Sequence, residues 1–422
     1  MDKLIVKGPT TLSGEVTVSS AKNASLPILA ASILYPGKIK FLNLPGLSDI
    51  NFFTQILESL GATVSKTDSA HLIDSKDIDK VTADYELVRK MRASVLVLGP
   101  LLARFKKAKV SLPGGCAIGT RPVDIHLKGL EALGAKIDIS EGYINASCEK
   151  LVGASIHFSF PYVGATENLM MAACLAQGQT ILENAACEPE IEDHANFLNA
   201  CGFEISGAGT STIKIQGKSF DQINSDKMIE YSIIGDRIEA ATYIIAGLMT
   251  DSEIKVSGFN PIHIEEVLNV LKSMGAKLEV GSDGVKVFKS GKLSGAKIET
   301  RPHPGFPTDV QAQLMSLMGV SSGYSIVSEK IFENRFMHVP ELVRMGMNID
   351  LDGHYAFIKG VDKPSGAPVM CTDLRASAAL ILSALLVEGE TAINRIYHLD
   401  RGYENIEVKL KALGANIKRV KE

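Results

Sequence analysis

Hydrophobic and polar positions recur along the chain with a period of about 70 residues. One phrase, an amphipathic helix end followed by a strand-like segment, appears six times, for example as LESLGATV (57–64) and LKALGANI (410–417). A glycine occupies the same place in every copy, at Gly61, Gly134, Gly202, Gly275, Gly346 and Gly414. The pattern predicts six helices that each end at a left-handed glycine and lead into a strand.

A second pattern alternates with the first and predicts a helix of small residues that is apolar nearly all round. Its copies lie within 21–45, 91–114, 164–184, 235–259, 307–333 and 372–398. A helix without a polar face is typical of a buried position, whereas the glycine-terminated helices carry polar residues on one side. We therefore expect each repeat to place one helix in a core and one against water.

The repeats also predict the domain organisation. One unit of about 70 residues is too small to close its own core, but three together can form a compact domain. Six units predict two similar α/β domains of three units each, with a cleft between them. No linker rich in Gly, Ser or Pro separates the halves, so repeat counting alone puts the boundary near residue 230.

Composition narrows the class of protein. The 422 residues are 45% hydrophobic and 22% charged, which is ordinary for a soluble globular protein, and the net charge of -4 argues against nucleic-acid binding through broad positive charge. The N-terminal residues lack the apolar core of a signal peptide. The longest apolar run, at 376–387, is shorter than the roughly 20 residues that span a bilayer. We expect a cytosolic protein with no membrane or nucleic-acid partner.

Cations occur where the apolar helices begin. They are Lys22, Arg92, Arg237 and Arg375. A cation at a helix N-terminus opposes the helix dipole, so capping does not explain these residues. The same N-termini bind phosphate or carboxylate through their N–H groups, and arginine matches both anions. With Arg335 and Arg401 in segments rich in turn residues, the sequence predicts a site for a ligand with several negative charges.

One cysteine has a context that favours chemistry. The segment LPGGCAIGTRPVDIH (112–126) places Cys116 among glycines and five residues before Arg121. A structural cysteine is usually inert in apolar packing, whereas a reactive one lies near a cation. The chain has no C-x-x-C pair, so a zinc site of that type has no support, and no metal is expected.

Seven segments together resemble the bacterial UDP-N-acetylglucosamine enolpyruvyl transferase family, over essentially the whole chain. They are AKNASLPIL (21–29), MRASVLVLGPL (91–101), the cysteine segment (112–126), FPTDVQAQ (306–313), FENRFMHVPEL (332–342), TDLRASAA (372–379) and DRGYE (400–404). The resemblance implies two inside-out α/β barrel domains, each with three repeats around buried helices. It further implies boundaries of 22–229 for one domain and 1–21 plus 230–422 for the other, with the active site in the cleft.

The resemblance also implies a reaction. The enolpyruvyl group of phosphoenolpyruvate would pass to the C3 hydroxyl of UDP-N-acetylglucosamine with release of phosphate, without a cofactor, as the first committed step of peptidoglycan synthesis. Cys116 would be the general acid and could form a covalent adduct with phosphoenolpyruvate, and Asp309 would be the base. The residues that would hold phosphoenolpyruvate are Lys22, Asn23, Arg121, Arg335, Arg375 and Arg401, with Lys22 and Arg401 also counted as catalytic.

A second set of residues would bind UDP-N-acetylglucosamine by the same resemblance. It comprises Arg92, Arg121, Pro122, Val123, Asp124, Ile125, Val163, Gly164, Asp309 and Ile331. Tyr162 stands where many relatives have a serine, so a small hydroxyl contact to the diphosphate is in question here, although backbone N–H groups could still serve. Cys116 is further expected to react with an epoxide phosphonate such as fosfomycin.

Three other functions remain open from the sequence. An enolpyruvyl transferase for shikimate 3-phosphate would share the fold but lacks the cysteine segment. A paralogue that binds UDP-N-acetylglucosamine without turnover is opposed by the intact Cys116, Asp309, Lys22 and Arg401. A ligase of the RNA cyclase type is disfavoured by the net charge.

Overall fold

The computed structural model describes residues 2–67, 70–88, 91–112 and 123–421, and the side chain of Arg92 lies outside this description. The helices are α1 (Lys22–Ala31), α2 (Ser48–Leu60), α3 (Tyr85–Val88), α4 (Leu98–Phe105), α5 (Asp124–Ala132), α6 (Val163–Ala173), α7 (Pro189–Ala200), α8 (Arg237–Met249), α9 (Glu265–Ser273), α10 (Gln311–Met318), α11 (Val339–Arg344), α12 (Leu374–Ala384) and α13 (Ile406–Ala412).

The strands are short and alternate with these helices. They are β1 (Asp2–Gly8), β2 (Ser13–Thr17), β3 (Lys38–Phe41), β4 (Thr63–Lys66), β5 (His71–Asp74), β6 (Thr82–Ala83), β7 (Lys107–Ser111), β8 (Lys136–Ser140), β9 (Tyr143–Ser147), β10 (Ser155–His157), β11 (Gln179–Glu183), β12 (Glu204–Ser206), β13 (Thr212–Gln216), β14 (Ile229–Tyr231), β15 (Glu253–Ser257), β16 (Lys277–Val280), β17 (Gly284–Phe288), β18 (Lys297–Glu299), β19 (Tyr324–Ser328), β20 (Asn348–Asp352), β21 (Tyr355–Lys359), β22 (Val369–Met370), β23 (Gly389–Asn394) and β24 (Asn416–Lys421).

The described strands form six four-stranded sheets that share one topology. Their strand orders are β14-β3-β5-β4, β6-β7-β9-β8, β10-β11-β13-β12, β2-β15-β17-β16, β18-β19-β21-β20 and β22-β23-β1-β24. The first pair in each order is parallel and the other two pairs are antiparallel. The repeats predicted from the sequence are therefore structural repeats, which confirms the six-unit α/β fold.

The described chain separates into two compact units. Residues up to Ser19 and from Gly235 onward form one, here called the discontinuous unit, and residues from Ser20 to Ile234 form the continuous unit. β1 belongs to the discontinuous unit because it pairs on one side with β23 and on the other with β24, so that Leu4 lies opposite Ile393 and Arg419. Each unit has its own hydrophobic core.

The helices predicted to be buried form the centre of each core. They are α1, α4 and α6 in the continuous unit and α8, α10 and α12 in the discontinuous unit, and every residue of α8 and α10 is buried. In contrast, α9 buries only the apolar stripe that faces a core, and α2 buries such a stripe together with Asp49. The glycine after α2, Gly61, has a φ of 112° and donates to Glu58, which ends the helix as the repeat predicts.

Candidate functional site

Asp309 lies between two buried arginines of the discontinuous unit. It occupies a 3-10 turn (Thr308–Val310) that leads into α10. Nη2 of Arg335 donates to one of its carboxylate oxygens at 2.7 Å, and Nη2 of Arg375 donates to the other at 2.9 Å. Both arginine side chains are 3% exposed, whereas that of Asp309 is 26% exposed. The structure therefore brings these three predicted site residues together and leaves the carboxylate accessible to solvent.

Arg375 is held rigidly at the start of α12. The side chain of Asp373 caps this helix by accepting from the backbone N–H groups of Arg375 and Ala376. The guanidinium group lies 5.5 Å from the centre of the Tyr403 ring. Burial by itself lowers the pKa of Arg375, but the charge of Asp309 outweighs it, so that the pKa lies above its ordinary value.

Part of the Arg375 guanidinium group has no hydrogen-bond partner among the described residues. Nε and Nη1 are buried and make no hydrogen bond within the described part of the chain. An unsatisfied buried donor costs free energy unless a ligand or water satisfies it. Two fixed N–H donors on a cation are suited to a carboxylate or phosphate oxygen. Arg375 thus has the chemistry expected of an anion-binding residue.

Arg335 is fixed by the backbone as well as by Asp309. It precedes α11, and its Nη2 also donates to the carbonyl of Thr308 at 3.3 Å. The guanidinium carbon lies 5.6 Å from the centre of the Phe332 ring, within the range of a cation–π contact. These contacts join the turn that carries Asp309 to the segment that carries Ile331, another residue of the predicted site.

Glu329 is a buried carboxylate in this part of the discontinuous unit that sequence reasoning missed. Its Oε1 accepts from the hydroxyl of Thr300 at 2.8 Å and from the backbone N–H groups of Ile331 at 2.8 Å and Phe332 at 3.2 Å. Its Oε2 accepts from the hydroxyl of Thr308 at 3.0 Å. A glutamate at the end of a strand has no distinguishing sequence signal, because its partners come from separate segments.

In the continuous unit, Lys22 is the first residue of α1 and Asn23 follows it. The Lys22 ammonium group lies 2.7 Å from the carboxylate of Asp49, which is in the first turn of α2. The sequence interpretation explained cations at helix starts by an anionic ligand alone. The structure corrects that explanation in part, since protein carboxylates accompany Lys22 and Arg375.

Arg401 ends a 3-10 helix (Ile396–Arg401) and is half-buried. The preceding residue, Asp400, accepts two hydrogen bonds from Arg419 of β24, at 2.6 and 3.0 Å. Nε of Arg419 donates to Glu407 at 2.7 Å. This two-pronged contact holds the carboxylate of Asp400, next to Arg401, against β24, and the sequence did not indicate it.

Five of the predicted contacts to the sugar nucleotide lie at the starts of two neighbouring helices of the continuous unit. Asp124 and Ile125 begin α5, directly after Val123, while Val163 and Gly164 begin α6. A Cβ atom on Gly164 would lie 3.4 Å from the His126 ring, which is ordinary van der Waals contact, so the starts of the two helices lie close together. Backbone N–H groups at a helix start suit phosphate oxygens. Tyr162 precedes α6 and makes no side-chain cap.

A second buried residue that sequence reasoning missed, Asn168, joins these helices to the segment that begins at Arg92. Its Oδ1 accepts from the N–H of Gly99 at 2.7 Å, and its Nδ2 donates to the carbonyl of Val95 at 3.2 Å. The same Nδ2 lies 3.0 Å from Nδ1 of His126. The Asn168 amide on α6 therefore contacts two other segments that carry predicted substrate residues.

Some predicted site residues lie outside the described residues, namely Cys116, Arg121 and Pro122, as does the side chain of Arg92. Among the described residues, no cluster of three or more His, Cys, Asp or Glu side chains could hold a metal ion. A search of the same residues finds no helix with the length and apolar character needed to cross a membrane.

Comparison with protein families and curated proteins gives full-length similarities. The family model described as EPSP synthase (3-phosphoshikimate 1-carboxyvinyltransferase) matches residues 6–410. The chain is 53% identical over 423 residues to the UDP-N-acetylglucosamine 1-carboxyvinyltransferase of Trichlorobacter lovleyi. It is also 53% identical over 422 residues to the protein of the same name from Geotalea uraniireducens. Each of these two alignments covers 100% of both chains.

Solved structures show the same fold at lower sequence identity. The crystal structure of the enolpyruvyl transferase NikO from Streptomyces tendae matches with a TM-score of 0.89 and 24% identity, covering 100% of this chain and 99% of that one. An EPSP synthase structure from Acinetobacter baumannii matches with a TM-score of 0.75 and 17% identity, covering 100% of each chain. These likenesses confirm the enolpyruvyl transferase fold.

Proposed function

The chain belongs to the UDP-N-acetylglucosamine 1-carboxyvinyltransferase family of enolpyruvyl transferases, and from that premise we propose that it transfers the enolpyruvyl group of phosphoenolpyruvate to the C3 hydroxyl of UDP-N-acetylglucosamine and releases phosphate. The 53% identity to members of that name over the full length of both chains carries the proposal. The reaction would be a cytosolic one and would supply peptidoglycan synthesis.

Phosphoenolpyruvate binding is proposed for a set of cationic and polar residues. Its phosphate and carboxylate require several fixed positive charges, which Lys22, Asn23, Arg121, Arg335, Arg375 and Arg401 would supply together with polar contacts. Nε and Nη1 of the buried Arg375 side chain, which have no hydrogen-bond partner in the part of the chain that the structure describes, support this assignment most directly. Because its guanidinium group is anchored through Asp309, it would be oriented before the ligand arrives.

Asp309 is proposed as the base that takes the proton from the C3 hydroxyl. Guanidinium groups at 2.7 and 2.9 Å hold the carboxylate in one orientation, and its side chain is 26% exposed, so a hydroxyl could approach it. As the hydroxyl oxygen bonds to C2 of phosphoenolpyruvate, a proton must reach the methylene carbon. Loss of phosphate and of a methyl proton from the resulting adduct then restores the double bond and yields the enolpyruvyl ether.

Cys116 is proposed as the acid that protonates the methylene carbon, and as the site of a covalent phosphoenolpyruvate adduct. This role rests on the cysteine segment of the sequence, in which Arg121 follows the thiol. A positioned acid or base typically accelerates a reaction by ~10²–10⁴-fold. Inactivation by fosfomycin belongs to the same proposal.

UDP-N-acetylglucosamine binding is proposed for the starts of α5 and α6 with the neighbouring segments. The N–H groups of Asp124, Ile125 and Gly164 would face the diphosphate, since these residues open helices of nine and eleven residues. Arg92, Arg121, Pro122, Val123, Val163 and Ile331 complete the proposed set, and Asp309 would contact the sugar.

A shikimate 3-phosphate acceptor is the second candidate, favoured only by the name of the matching family model. Phosphate release from phosphoenolpyruvate should be measured with each acceptor in turn. The proposal expects release with UDP-N-acetylglucosamine, together with a new enolpyruvyl ether in the product mass spectrum. Release with shikimate 3-phosphate alone would overturn it.

A further inference from the structure

We propose that Glu329 is a positioning residue for the transfer reaction, which locks the turn bearing Asp309 to the segment bearing Ile331. The inference rests on the proposed function, because Asp309 and Ile331 are the residues assigned there to the base and to the sugar nucleotide. Glu329 itself is buried, with 1% of its surface exposed, and would touch neither substrate.

The hydrogen bonds of Glu329 account for both of its oxygens. Oε1 receives the hydroxyl of Thr300 and the backbone N–H groups of Ile331 and Phe332, and Oε2 receives the hydroxyl of Thr308. In all four contacts Glu329 is the acceptor, and its carboxylate offers an acceptor oxygen on both sides. The Thr308 hydroxyl could equally accept a hydrogen bond from a donor at this position.

The Thr308 contact and the contacts of Arg335 act on the same two segments. Thr308 and Asp309 are on one segment, and residues 329–335 form the other. Arg335 joins them at the Asp309 carboxylate and the Thr308 carbonyl, while Glu329 joins them at the Thr308 hydroxyl. If only Arg335 or only Glu329 joined the two segments, one segment could rotate about that single contact. The two contacts together fix the orientation of Asp309 relative to Ile331.

Thr300 keeps Glu329 in place without reaching Asp309. Its hydroxyl donates to Oε1 of Glu329 and accepts from the N–H of Lys330 at 2.9 Å, and its own N–H donates to the carbonyl of Ser328. Thr300 is fully buried. The Thr308 contact is therefore the one that transmits the position of Glu329 to the base.

Three variants that remove different numbers of the Glu329 hydrogen bonds test the proposal. Thr308→Val removes only the contact to Oε2, and loss of a buried hydrogen bond to a charged group should reduce kcat about tenfold. Glu329→Ala removes all four contacts and should also raise the KM for UDP-N-acetylglucosamine more than that for phosphoenolpyruvate. In Glu329→Gln, the amide oxygen can accept from Thr300, Ile331 and Phe332 while the amide nitrogen donates to the Thr308 hydroxyl. This variant should therefore keep kcat and the KM for UDP-N-acetylglucosamine within about threefold of the wild-type values.

The matched control is Thr391→Val. Thr391 is buried in β23 of the same unit, and its hydroxyl has no hydrogen-bond partner among the described residues. This substitution has the same chemistry as Thr308→Val and should leave kcat and both KM values within twofold of those of the wild-type protein. Thermal melting of each variant shows whether the fold is retained.

Two readouts separate this inference from the proposed function. If the wild-type protein transfers no enolpyruvyl group, the proposed function fails. Hydrogen exchange at the Ile331 and Phe332 amides then tests only whether Glu329 connects the two segments. Faster exchange of these amides in Glu329→Ala than in the wild type supports the connection, and unchanged exchange overturns it. If the alanine variant does not fold, Thr308→Val takes its place in this comparison. With an active wild type, unchanged kcat and KM values in folded Thr308→Val and Glu329→Ala overturn the positioning role.

Discussion

The ammonium nitrogen of Lys22 lies 2.7 Å from a carboxylate oxygen of Asp49, and the side chain of Asp49 is 2% exposed. The pair explains how α1 tolerates a lysine as its first residue. A cation there opposes the helix dipole, but a carboxylate from the first turn of α2 compensates it. Lys22 is consequently fixed by the protein itself before any ligand binds.

Asp49→Asn should destabilise the protein because it leaves the Lys22 cation in a largely buried position without its carboxylate. Removing one partner of a buried pair typically costs about 3–5 kcal/mol. We expect a decrease of about 3 kcal/mol in the free energy of unfolding, measured by urea titration at pH 7.5. The KM for phosphoenolpyruvate should rise as well, since Lys22 would no longer be held at the start of α1.

Asp362→Asn is the matched control for this substitution. Asp362 also lies 2.7 Å from a lysine, Lys292, but both side chains are exposed. An exposed pair contributes little, so the urea midpoint should not move. Equal effects of the two substitutions would show that the burial of the Lys22–Asp49 pair has no consequence.

Asp309→Asn should lower turnover far more than it weakens UDP-N-acetylglucosamine binding. The amide cannot accept the hydroxyl proton, and loss of a positioned base should reduce kcat by about 10²–10⁴-fold. Steady-state kinetics beside calorimetric titration with UDP-N-acetylglucosamine would measure the two effects separately. Near-normal turnover would remove Asp309 from the mechanism, and Asp362→Asn again provides the control.

Arg419→Lys should raise the KM for phosphoenolpyruvate about tenfold while the KM for UDP-N-acetylglucosamine stays within a factor of two. Lysine keeps the positive charge but cannot make the two parallel hydrogen bonds to Asp400, so the backbone beside Arg401 would loosen. Arg301→Lys is the control, because Arg301 pairs with Glu299 at 2.8 Å on the surface. A variant with unchanged KM values would show that Arg419 does not position Arg401.

The repeat architecture could be predicted from the sequence because its signals are local. A helix that ends at Gly61 and a helix with no polar face, such as α8, are both readable from a short stretch of residues. The pairing of β1 with β23 and β24 is not readable in this way. It joins residues about 400 positions apart, and many short strands could compete for the same edge.

The candidate site shows the same difference between features readable from a short stretch of sequence and features that depend on distant residues. Cations at helix starts pointed to Lys22 and Arg375, because their charge opposes the helix dipole, whereas Asp309 was identified through the family resemblance. Asp49 and Glu329 gave no such signal, since an aspartate in a first helical turn and a glutamate after a strand are ordinary. Their importance comes from burial and from partners in other segments, which only the folded structure shows.

His194→Leu should reduce the loss of stability at acid pH. His194 is fully buried in α7, neither ring nitrogen has a hydrogen-bond partner among the described residues, and burial lowers its pKa to about 3. The unfolded chain binds the proton near pH 6.5, so stability is lost as the pH falls from there towards 3. Between pH 7.5 and 5 the residue should cost about 2 kcal/mol, which the leucine variant would not lose.

This pH effect should be measured as a difference between variant and wild type in urea titrations at the two pH values. The wild-type pH dependence must be subtracted because Asp193 acts in the opposite direction to His194. Burial raises the pKa of Asp193 to about 6, so its contribution favours stability as the pH falls from 6 to 4. His157→Leu is the control, since His157 is exposed on β10. Parallel pH dependence in wild type and His194→Leu would contradict the assignment.

Cys116 should be the one thiol of this protein that fosfomycin alkylates. Burial raises the pKa of every described thiol, namely Cys148, Cys174, Cys187, Cys201 and Cys371, the last to about 12. Thiolate is the nucleophilic form, so these five should react slowly at pH 7.5. Cys116 lies in a glycine-rich segment with Arg121, and the phosphonate should be drawn to the same cations as phosphoenolpyruvate.

Peptide mass spectrometry after treatment with fosfomycin would identify the modified residue. Cys116→Asp should keep an acidic proton source and therefore some turnover, but it removes the nucleophile and should abolish labelling. Cys187→Ser is the matched control, because Cys187 is a half-buried thiol whose loss should change neither result. Label on another cysteine, or an active wild-type protein with no label, would show that Cys116 is not the reactive thiol of the site.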